Sequence, residues 1–370
     1  MNTPNVAPTP AQQLVGRNLP NGWIVEELIR RPESATGGYF SSSYIVRSDN
    51  GKRAFLKAMD YKRALESPDP AKKLQAMTTA YNFERMILEK CNSNRLSRIV
   101  RVLDSGSLPP QDGDPSSVVQ YLVFELASGD IRSFVAHGQS FEPVWTLKMM
   151  HQVAAALRQL HYLNIAHQDV KPSNVLVFEE DHSKLADLGR ASDRDSTSPH
   201  DGFKCAGDKT YAPPELLYGH VPEDWRTRRL GCDMYLLGSL VVFFCRGVSM
   251  THLLFNRLDK DHHFQNWGGT YSEVLPYLQN VFAQIIRELR EEIQADFGFP
   301  NEIAELVKQL CNPDPQKRGH PKNLFSSGNQ YSLERYVSIF DRLAKQAEYS
   351  LTRRKLNRRQ TGDWNNHGRI

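Results

Sequence analysis

Three polar side chains lie close together in the stretch HQDVKPSNVLV, residues 167–177. Asp169 supplies a carboxylate, Lys171 an ammonium group and Asn174 an amide, and a second carboxylate follows at Asp187 in ADLGR. Transfer of a phosphoryl group from a metal-bound polyphosphate needs a base for the attacking hydroxyl and oxygen ligands for hard Mg²⁺ ions. The types and spacing of these residues therefore indicate phosphoryl transfer.

Phosphoryl transfer also needs a cation beside the phosphate oxygens, and the earlier part of the chain offers one. Lys57 ends the run AFLK, which is typical of a strand, and Glu84 in NFERMIL lies on a predicted helix. Lys57 would neutralise phosphate oxygens, and Glu84 is the candidate partner that orients it. A single lysine at the end of a strand is usually solvated, so the pair carries weight only together with the later motif.

The elements that must position these groups differ between the two halves of the chain. Three short strands, one helix and two more strands are predicted in IVEELIRR, GYFSSSYIVR, KRAFLKAMD, YNFERMILEKC, RIVRVLDSGSL and VQYLVFELA. Helical runs separated by Pro and Gly dominate from WTLKMMHQVAAALRQL onwards. We therefore predict an α+β fold with two lobes, a small strand-rich lobe with one long helix and a larger helical lobe, and a ligand site at their junction.

The ordered motifs resemble those of the eukaryotic-type protein kinase family over about residues 23–321. HQDVKPSN stands where the family has HRDxKxxN, and DLG stands where it has DFG. The resemblance implies that Asp169 is the catalytic base and that Lys171 contacts the γ-phosphate. It also implies that Asn174 and Asp187 are Mg²⁺ ligands.

The same resemblance implies an ATP site. Lys57 would contact the α- and β-phosphates, and Glu84 would pair with it. FEL at 124–126 is similar to the gatekeeper and hinge, so adenine would bond the backbone near Glu125 and Leu126. The other nucleotide-binding positions that the resemblance implies are Thr36, Gly37, Gly38, Ser41, Phe55, Leu176 and, as a weaker match to the acid that holds ribose, Asp130.

The predicted helical lobe continues the match. PPE at 213–215 replaces APE, and Arg318 in NPDPQKRGHP fits the arginine that pairs with Glu215. Asp233 fits the acid that supports the catalytic loop, which is HQDVKPSN at residues 167–174. In the family, the glutamate and arginine serve an activation segment that docks peptides, so they favour a protein substrate.

The predicted nucleotide site departs from the family pattern in two ways. The glycine loop GxGxxGxV has Thr36, Gly38, Ser41 and Ser43 at its four sites. Phe55 replaces the alanine of VAIK. We interpret this as a compensated exchange in which the Phe55 ring fills space vacated at Ser43 and stacks on the purine; the alternative is that the ring plugs the pocket.

Two further departures concern regulation and charge. Gln168 replaces the arginine of HRD, which in many family members binds a phosphate on the activation loop, residues 190–214. We therefore predict that activity, or inactivity, is largely independent of loop phosphorylation. Asp208 occupies a threonine position, and two readings stay open: it accepts a hydrogen bond from Lys171, or it repels Asp169 and raises a carboxylate pKa.

These features support three functions. The first is a serine/threonine protein kinase that uses ATP and Mg²⁺, and Lys171 resembles the serine/threonine members. The second is a pseudokinase, a nucleotide-binding or scaffold module, which the altered glycine loop, Phe55 and Asp208 favour. The third is a small-molecule phosphotransferase of kinase-like fold, against which Glu215 and Arg318 argue.

Composition sets the outer limits of these predictions. The 370 residues carry a net charge of +4, and residues 351–370 hold six Lys or Arg and one acid. A solvated basic terminus is favoured there over docking on an acidic partner or nucleic acid.

Five cysteines without a CxxC motif suggest reduced thiols in the cytoplasm, and MNTPNVAPTPAQQ lacks a secretory pattern. The apolar run 234–245 is too short to span a bilayer.

The predicted domain organisation follows from these patterns. Residues 1–20, rich in Pro, Asn and Gln, are predicted to be disordered. A protein kinase domain is predicted over 21–345, with its N-lobe at about 21–126 and its C-lobe at about 127–345. A basic tail is predicted over 346–370, and the oligomeric state is left open.

Overall fold

The structure is a computed structural model that describes residues 8–30, 40–110, 114, 117–136, 142–179, 181–296, 299–325 and 329–365. The chain divides into two compact units, Met1–Ser128 and Gly129–Ile370. The first is rich in strands and the second in helices, so the predicted α+β, two-lobed fold is confirmed.

The first unit is built from antiparallel strands and two helices. Its elements are β1 (Trp23–Leu28), β2 (Ser41–Ser48), β3 (Arg53–Met59), α1 (Tyr61–Leu65), α2 (Pro70–Ser93), β4 (Val102–Leu108) and β5 (Val119–Glu125). The five strands are hydrogen-bonded in the order β1-β2-β3-β5-β4. The long helix α2 begins at a cap, because the Asp69 side chain accepts a hydrogen bond from the Lys72 N–H.

The two faces of this sheet differ in burial. Successive side chains of a strand point to opposite faces. On β3, Ala54, Leu56 and Ala58 are fully buried, whereas Phe55 and Lys57 between them are half-buried. One face therefore forms the hydrophobic core of the unit, and the other carries the predicted nucleotide-binding residues.

Residues 8–20 belong to the buried face of the first unit. Ala11, Leu14 and Leu19 are buried in one hydrophobic cluster with Tyr44 and Leu56. The Tyr44 hydroxyl donates to the Ala11 carbonyl at 2.7 Å. The prediction of disorder over residues 1–20 is therefore wrong for residues 8–20, because three apolar side chains among polar neighbours cover the sheet; residues 1–7 lie outside the described part of the chain.

The second unit is mostly helical. Its elements are β6 (Gly129–Asp130), α3 (Ile131–Ala136), α4 (Pro143–Tyr162), β7 (Ile165–Ala166), β8 (Val175–Phe178), β9 (His182–Leu185), β10 (Ser192–Asp193), α5 (Pro214–Leu217), α6 (Gly231–Arg246), α7 (Met250–Arg257), α8 (Tyr271–Asp296), α9 (Pro300–Leu310), α10 (Pro321–Leu324) and α11 (Glu334–Asn365). Two small sheets, β6-β8-β9 and β10-β7, carry the loops of the candidate site.

Helix α6 forms the centre of the second unit. All its residues from Gly231 to Phe244 are buried, as its apolar sequence predicts. Among the described helices, none is by itself both long and apolar enough to cross a membrane. Arg226–Arg246 and Met250–Arg257 reach that threshold only when counted together, and the pair bends by 78°.

Helix α11 packs on the same unit. The Val337 carbonyl lies 3.0 Å from His151 Nδ1 on α4, and Arg158 of α4 pairs with Glu334. The helix continues past the predicted boundary at 345, and the side chains of the predicted basic tail beyond Arg353 lie outside the described residues.

The buried segment 8–20 can be tested by truncating one side chain. Leu14→Ala is expected to lower the free energy of unfolding of the first unit by about 2 kcal/mol or more, because a fully buried side chain loses its apolar contacts. Urea denaturation measures the change. Val15→Ala is the matched control, since Val15 is 55% exposed. Equal losses for the two variants would contradict the packing of this segment.

Candidate active site

The first unit brings Lys57 and Glu84 together. Lys57 lies on β3 and Glu84 on α2, where Phe83 and Ile87 are buried beside it. The Lys57 Nζ lies 2.9 Å from each carboxylate oxygen of Glu84. Because both side chains are largely buried, this ion pair is less screened than a surface pair. The predicted partners are therefore in contact, and the lysine is oriented along the half-buried face of the sheet.

Phe55 lies on the same face as Lys57. In the strand register Phe55 is opposite Ile45, and Lys57 is opposite Ser43, so Ser43 and Phe55 are diagonal neighbours. The Phe55 ring packs on Phe124 with centroids 6.3 Å apart and planes at 47°. The register therefore permits a large side chain at position 55 beside a small one at position 43, and Phe55 as a residue is half-buried.

The other residues that were predicted to bind nucleotide lie in several separate segments. The N–H of Glu125 donates to the Arg101 carbonyl at 3.1 Å, so an adenine bond at Glu125 would use another backbone group. Ser41 starts β2 opposite Met59, and Leu126 directly follows β5. Thr36, Gly37 and Gly38 lie outside the described residues.

Asp130 and Leu176 are cross-strand neighbours in the second unit. The Asp130 Oδ1 accepts a hydrogen bond from the Ser133 N–H at 2.8 Å. This contact orders the first turn of α3, so a local structural role explains the acid without a ligand. The structure therefore leaves the ribose role of Asp130 as a prediction.

The catalytic loop is held by a buried acid, Asp233. This carboxylate is 0% exposed and lies in the first turn of α6. It accepts hydrogen bonds from the backbone N–H groups of His167 at 2.7 Å and Gln168 at 2.8 Å. His161 Nε2 lies 2.9 Å away from the same carboxylate. The predicted supporting role of Asp233 thus corresponds to direct contacts with the two residues before Asp169.

Asp169 is the centre of the polar cluster in this loop. It is 6% exposed, and its Oδ2 lies 3.1 Å from Lys171 Nζ and 3.0 Å from Asn174 Nδ2. Its Oδ1 accepts from the backbone N–H of Asp208 at 2.8 Å. Three donors therefore orient one buried carboxylate, which is the geometry that a positioned base requires.

Burial and charge act against each other at this cluster. Burial raises the pKa of Asp169, and the charge of Asp187 adds to this rise, whereas Lys171 opposes it. Burial alone would lower the pKa of Lys171, but the charges of Asp169 and Asp208 reverse the effect and raise it. The lysine therefore stays protonated beside the carboxylate that it orients.

Asp208 makes separate contacts with its backbone and its side chain. Its carboxylate lies 3.4 Å from Lys171 Nζ and accepts from the N–H and hydroxyl of Thr210. Burial alone would raise the pKa of Asp208, but the hydrogen bonds from Thr210 and the charge of Lys171 lower it. Its backbone N–H lowers the pKa of Asp169. The contacts thus favour the first of the two readings, in which Asp208 accepts from Lys171.

Asn174 and Asp187 offer oxygen atoms for a cation. The Asn174 Nδ2 donates to the backbone carbonyl of Asp169 at 2.8 Å as well as to its carboxylate, so the amide oxygen is on the opposite side. Asp187 is exposed and has a left-handed backbone, with φ of 62°. Within the described ranges no group of three or more His, Cys, Asp or Glu side chains could hold a metal ion. A two-oxygen set suits Mg²⁺, which takes its other ligands from phosphate and water.

His167 connects the two loops that carry these oxygens. Its Nε2 lies 3.0 Å from the carbonyl of Ala186, the residue before Asp187. Its Nδ1 accepts from the Asp169 N–H at 3.3 Å. These roles fit a neutral imidazole that carries its proton on Nε2.

Glu215 and Arg318 form the predicted buried pair. Their contacts are bidentate, at 2.8 and 3.0 Å, and both residues are at most 2% exposed. The guanidinium also donates to the carbonyls of Gly231 and Asn312. Because the donors have partners, the buried charges are compensated, and the end of the activation loop is tied to the helical core.

Gly207 and Arg229 belong to the site, but the sequence patterns did not predict them. A Cβ on Gly207 would collide with the backbone carbonyl of Gln168 and lie 2.9 Å from the Asp169 Oδ1, so only glycine lets the activation loop approach the catalytic loop here. Arg229 contacts Gln168 from the segment before α6. The glycine next to Asp208 was a signal that could have been followed, whereas nothing in RTRRL marks Arg229 as the buried member.

Comparison with known proteins agrees with this arrangement. The chain matches the model of the protein kinase domain over residues 36–327. It is 24% identical to serine/threonine-protein kinase RAD53 of Saccharomyces cerevisiae over 80% of this chain and 31% of that protein. It is 36% identical to the probable serine/threonine-protein kinase PknB of Corynebacterium glutamicum over 42% of this chain and 24% of that protein.

The rice protein serine/threonine-protein kinase/endoribonuclease IRE1 is 31% identical over 46% of this chain and 16% of its own length. The chain thus spans less than a third of each of these three relatives. The family model covers most of the chain and includes both the Lys57–Glu84 pair and the Asp169 cluster. The chain therefore belongs to the protein kinase family.

Proposed function

We propose that the chain is an active serine/threonine protein kinase that transfers the γ-phosphoryl group of Mg-ATP to hydroxyl groups of proteins. The observation that carries the proposal is the buried carboxylate of Asp169, which Lys171, Asn174 and the Asp208 N–H hold in one orientation. The intact Lys57–Glu84 pair supports it, because a chain that no longer binds phosphate has no need to bury that lysine beside an acid.

Each polar group of the site has one role in this proposal. Bound Mg-ATP supplies the phosphoryl group, and its metal neutralises charge on the phosphate oxygens. Lys57 contacts phosphate oxygens, and Glu84 keeps its ammonium group in place. Asn174 and Asp187 would hold the magnesium.

The transfer step depends on Asp169 and Lys171. Asp169 orients the substrate hydroxyl and takes its proton, and a raised pKa makes it a better acceptor once it is ionised. Lys171 contacts the γ-phosphoryl group and offsets charge that develops there. Because Lys171 already contacts Asp169, the base and the transferred group would share one cation.

The acceptor is proposed to be serine or threonine on a protein. Lys171, two residues after Asp169, resembles the serine/threonine members, and the three relatives named above carry that description. The buried Glu215–Arg318 pair supports a protein substrate over a small molecule, because it fixes the end of the activation loop.

The five cysteines are free thiols, which supports a reducing compartment such as the cytoplasm.

A pseudokinase that binds nucleotide without transfer is the second candidate. Phe55 favours it, because a large ring shares the sheet face of Lys57. Incubation with labelled Mg-ATP, alone and with a generic protein substrate, separates the candidates. Thermal stabilisation by Mg-ATP without label transfer supports the second candidate, and label transfer only to a sugar or aminoglycoside supports a small-molecule phosphotransferase.

The base assignment predicts a specific defect. Asp169→Ala is expected to lower the transfer rate by about 10²–10⁴-fold, the usual contribution of a positioned base, because the substrate hydroxyl loses its proton acceptor. Nucleotide affinity, measured by titration, is expected to stay largely unchanged. Undiminished turnover would remove the base assignment.

A matched variant separates the base from the metal ligand. Asp187→Asn is expected to abolish transfer and also to weaken Mg-dependent nucleotide binding, since one oxygen ligand loses its charge. A transfer signal that persists undiminished in Asp187→Asn would contradict the assignment of Asp187 as a metal ligand.

The position of Phe55 predicts a change in nucleotide affinity. If its ring stacks on the purine, Phe55→Ala is expected to weaken binding by about 0.5–1.5 kcal/mol, or roughly 2- to 10-fold. Calorimetric titration measures this change. Phe325→Ala is the control, because Phe325 is 91% exposed. Tighter binding by Phe55→Ala would show that the ring plugs the site instead.

A further inference from the structure

A buried arginine connects the activation loop to the catalytic loop within the second unit. Arg229 precedes α6 and is 2% exposed. Its Nη1 donates to the Gln168 side-chain oxygen at 3.2 Å, and its Nη2 donates to the Asp201 carboxylate at 3.1 Å and to the Asp201 carbonyl at 3.2 Å. A buried charge is costly without a partner, and Asp201 is the acid that contacts it.

The Asp201 carboxylate accepts hydrogen bonds from three residues. Its Oδ1 accepts from the Ser192 hydroxyl at 2.9 Å and from Arg229, and its Oδ2 accepts from the Ser198 N–H at 2.8 Å. Ser192 and Ser198 are buried, and both lie in the activation loop. A charged acceptor strengthens each of these hydrogen bonds. The first part of the activation loop is therefore ordered around Asp201.

The other end of the connection is Gln168. Its Nε2 donates to the Arg229 carbonyl at 2.8 Å, so Gln168 and Arg229 bond each other in both directions. Gln168 has a positive φ of 68°, which is a strained backbone for a residue other than glycine. Such strain persists only where surrounding contacts enforce it, and Asp169 is the next residue. The contacts of Arg229 thus reach the backbone that carries Asp169.

We propose that the Asp201 carboxylate orders the activation loop for catalysis, and that Arg229 transmits this order through Gln168 to Asp169. The proposal rests on the proposed kinase function and specifies how that activity is controlled. The carboxylate is part of the chain, so this ordering needs no added phosphate. Asp201 and Arg229 are positioning residues, since their contacts reach Asp169 through Gln168.

The neighbouring Arg228 helps to separate this role from general anchoring of the loop. Its Nη2 donates to the backbone carbonyls of Asp201 at 2.8 Å and Phe203 at 2.7 Å. Arg228 therefore holds the same loop through carbonyls, which a change of the Asp201 side chain leaves in place. Loss of the Asp201 charge is therefore expected to weaken the connection through Arg229 to Gln168 more than it weakens the anchoring of the loop by Arg228.

The test compares Asp201→Asn, Asp201→Glu and Arg229→Lys in the full chain after phosphatase treatment. Asp201→Asn is expected to lower kcat by about 10- to 100-fold with little change in KM for Mg-ATP, because Asp169 is displaced while the Lys57 pair is untouched. Asp201→Glu restores the charge and is expected to recover much of kcat. Arg229→Lys keeps a charge but lacks the fork that reaches both partners, so it is expected to resemble Asp201→Asn. Asp341→Asn, which alters an exposed pair with Lys345, is the control acid.

Limited trypsin digestion gives a readout that does not need phosphoryl transfer. Arg194 and Lys204 flank Asp201 and are exposed, and cleavage there is expected to be faster in Asp201→Asn than in Asp341→Asn. Unchanged kcat and unchanged cleavage in Asp201→Asn would overturn the proposal, as would loss of wild-type activity after phosphatase treatment. A wild-type protein that never transfers phosphate would instead overturn the proposed function, and the digestion would still decide whether Asp201 orders the loop.

Discussion

The structure of the candidate site depends on a carboxylate that no solvent reaches. Asp233 is fully buried, and it accepts hydrogen bonds from the N–H groups of the two residues that precede Asp169. In a region of low polarity such bonds are strong, and leaving either donor without a partner is costly. The backbone at Asp169 is therefore fixed from the core outward.

The remaining contacts of the site build on this fixed backbone. Asn174 and Lys171 bond the Asp169 carboxylate from within the same loop, and the Asp208 N–H approaches it from the activation loop. That approach requires glycine at position 207, because a side chain there would meet the Gln168 carbonyl. Burial raises the pKa of Asp169, and the charge of Lys171, which contacts the same carboxylate, limits this rise.

The fold and the principal contacts could be predicted from the sequence, since they depend on motifs with a fixed order. The alternation of β3, the apolar run of α6 and the pairs Lys57–Glu84 and Glu215–Arg318 are recognisable in the residue types and their spacing. Packing between segments that lie far apart in the sequence could not be predicted from it. Leu14 and Leu19 lie among Pro, Asn and Gln, and only the sheet surface shows where they are buried. Arg229 is one of three arginines in RTRRL, and the role of Asp208 depends on which neighbour its carboxylate meets.

In the proposed kinase reaction, Asp233 is expected to act by holding the backbone of Asp169 in place. A double-mutant cycle with Asp233→Asn and Asp169→Ala tests it most directly, with the single-turnover rate of phosphoryl transfer as the measured quantity and nucleotide binding as the check for a folded chain. Asp233→Asn alone is expected to slow transfer by about 10²-fold, because an amide cannot accept all the donors around it. The double variant is expected to be no slower than Asp169→Ala, because both changes disable the same group. Full transfer in Asp233→Asn, or losses that multiply in the double variant, would rule out this role of Asp233.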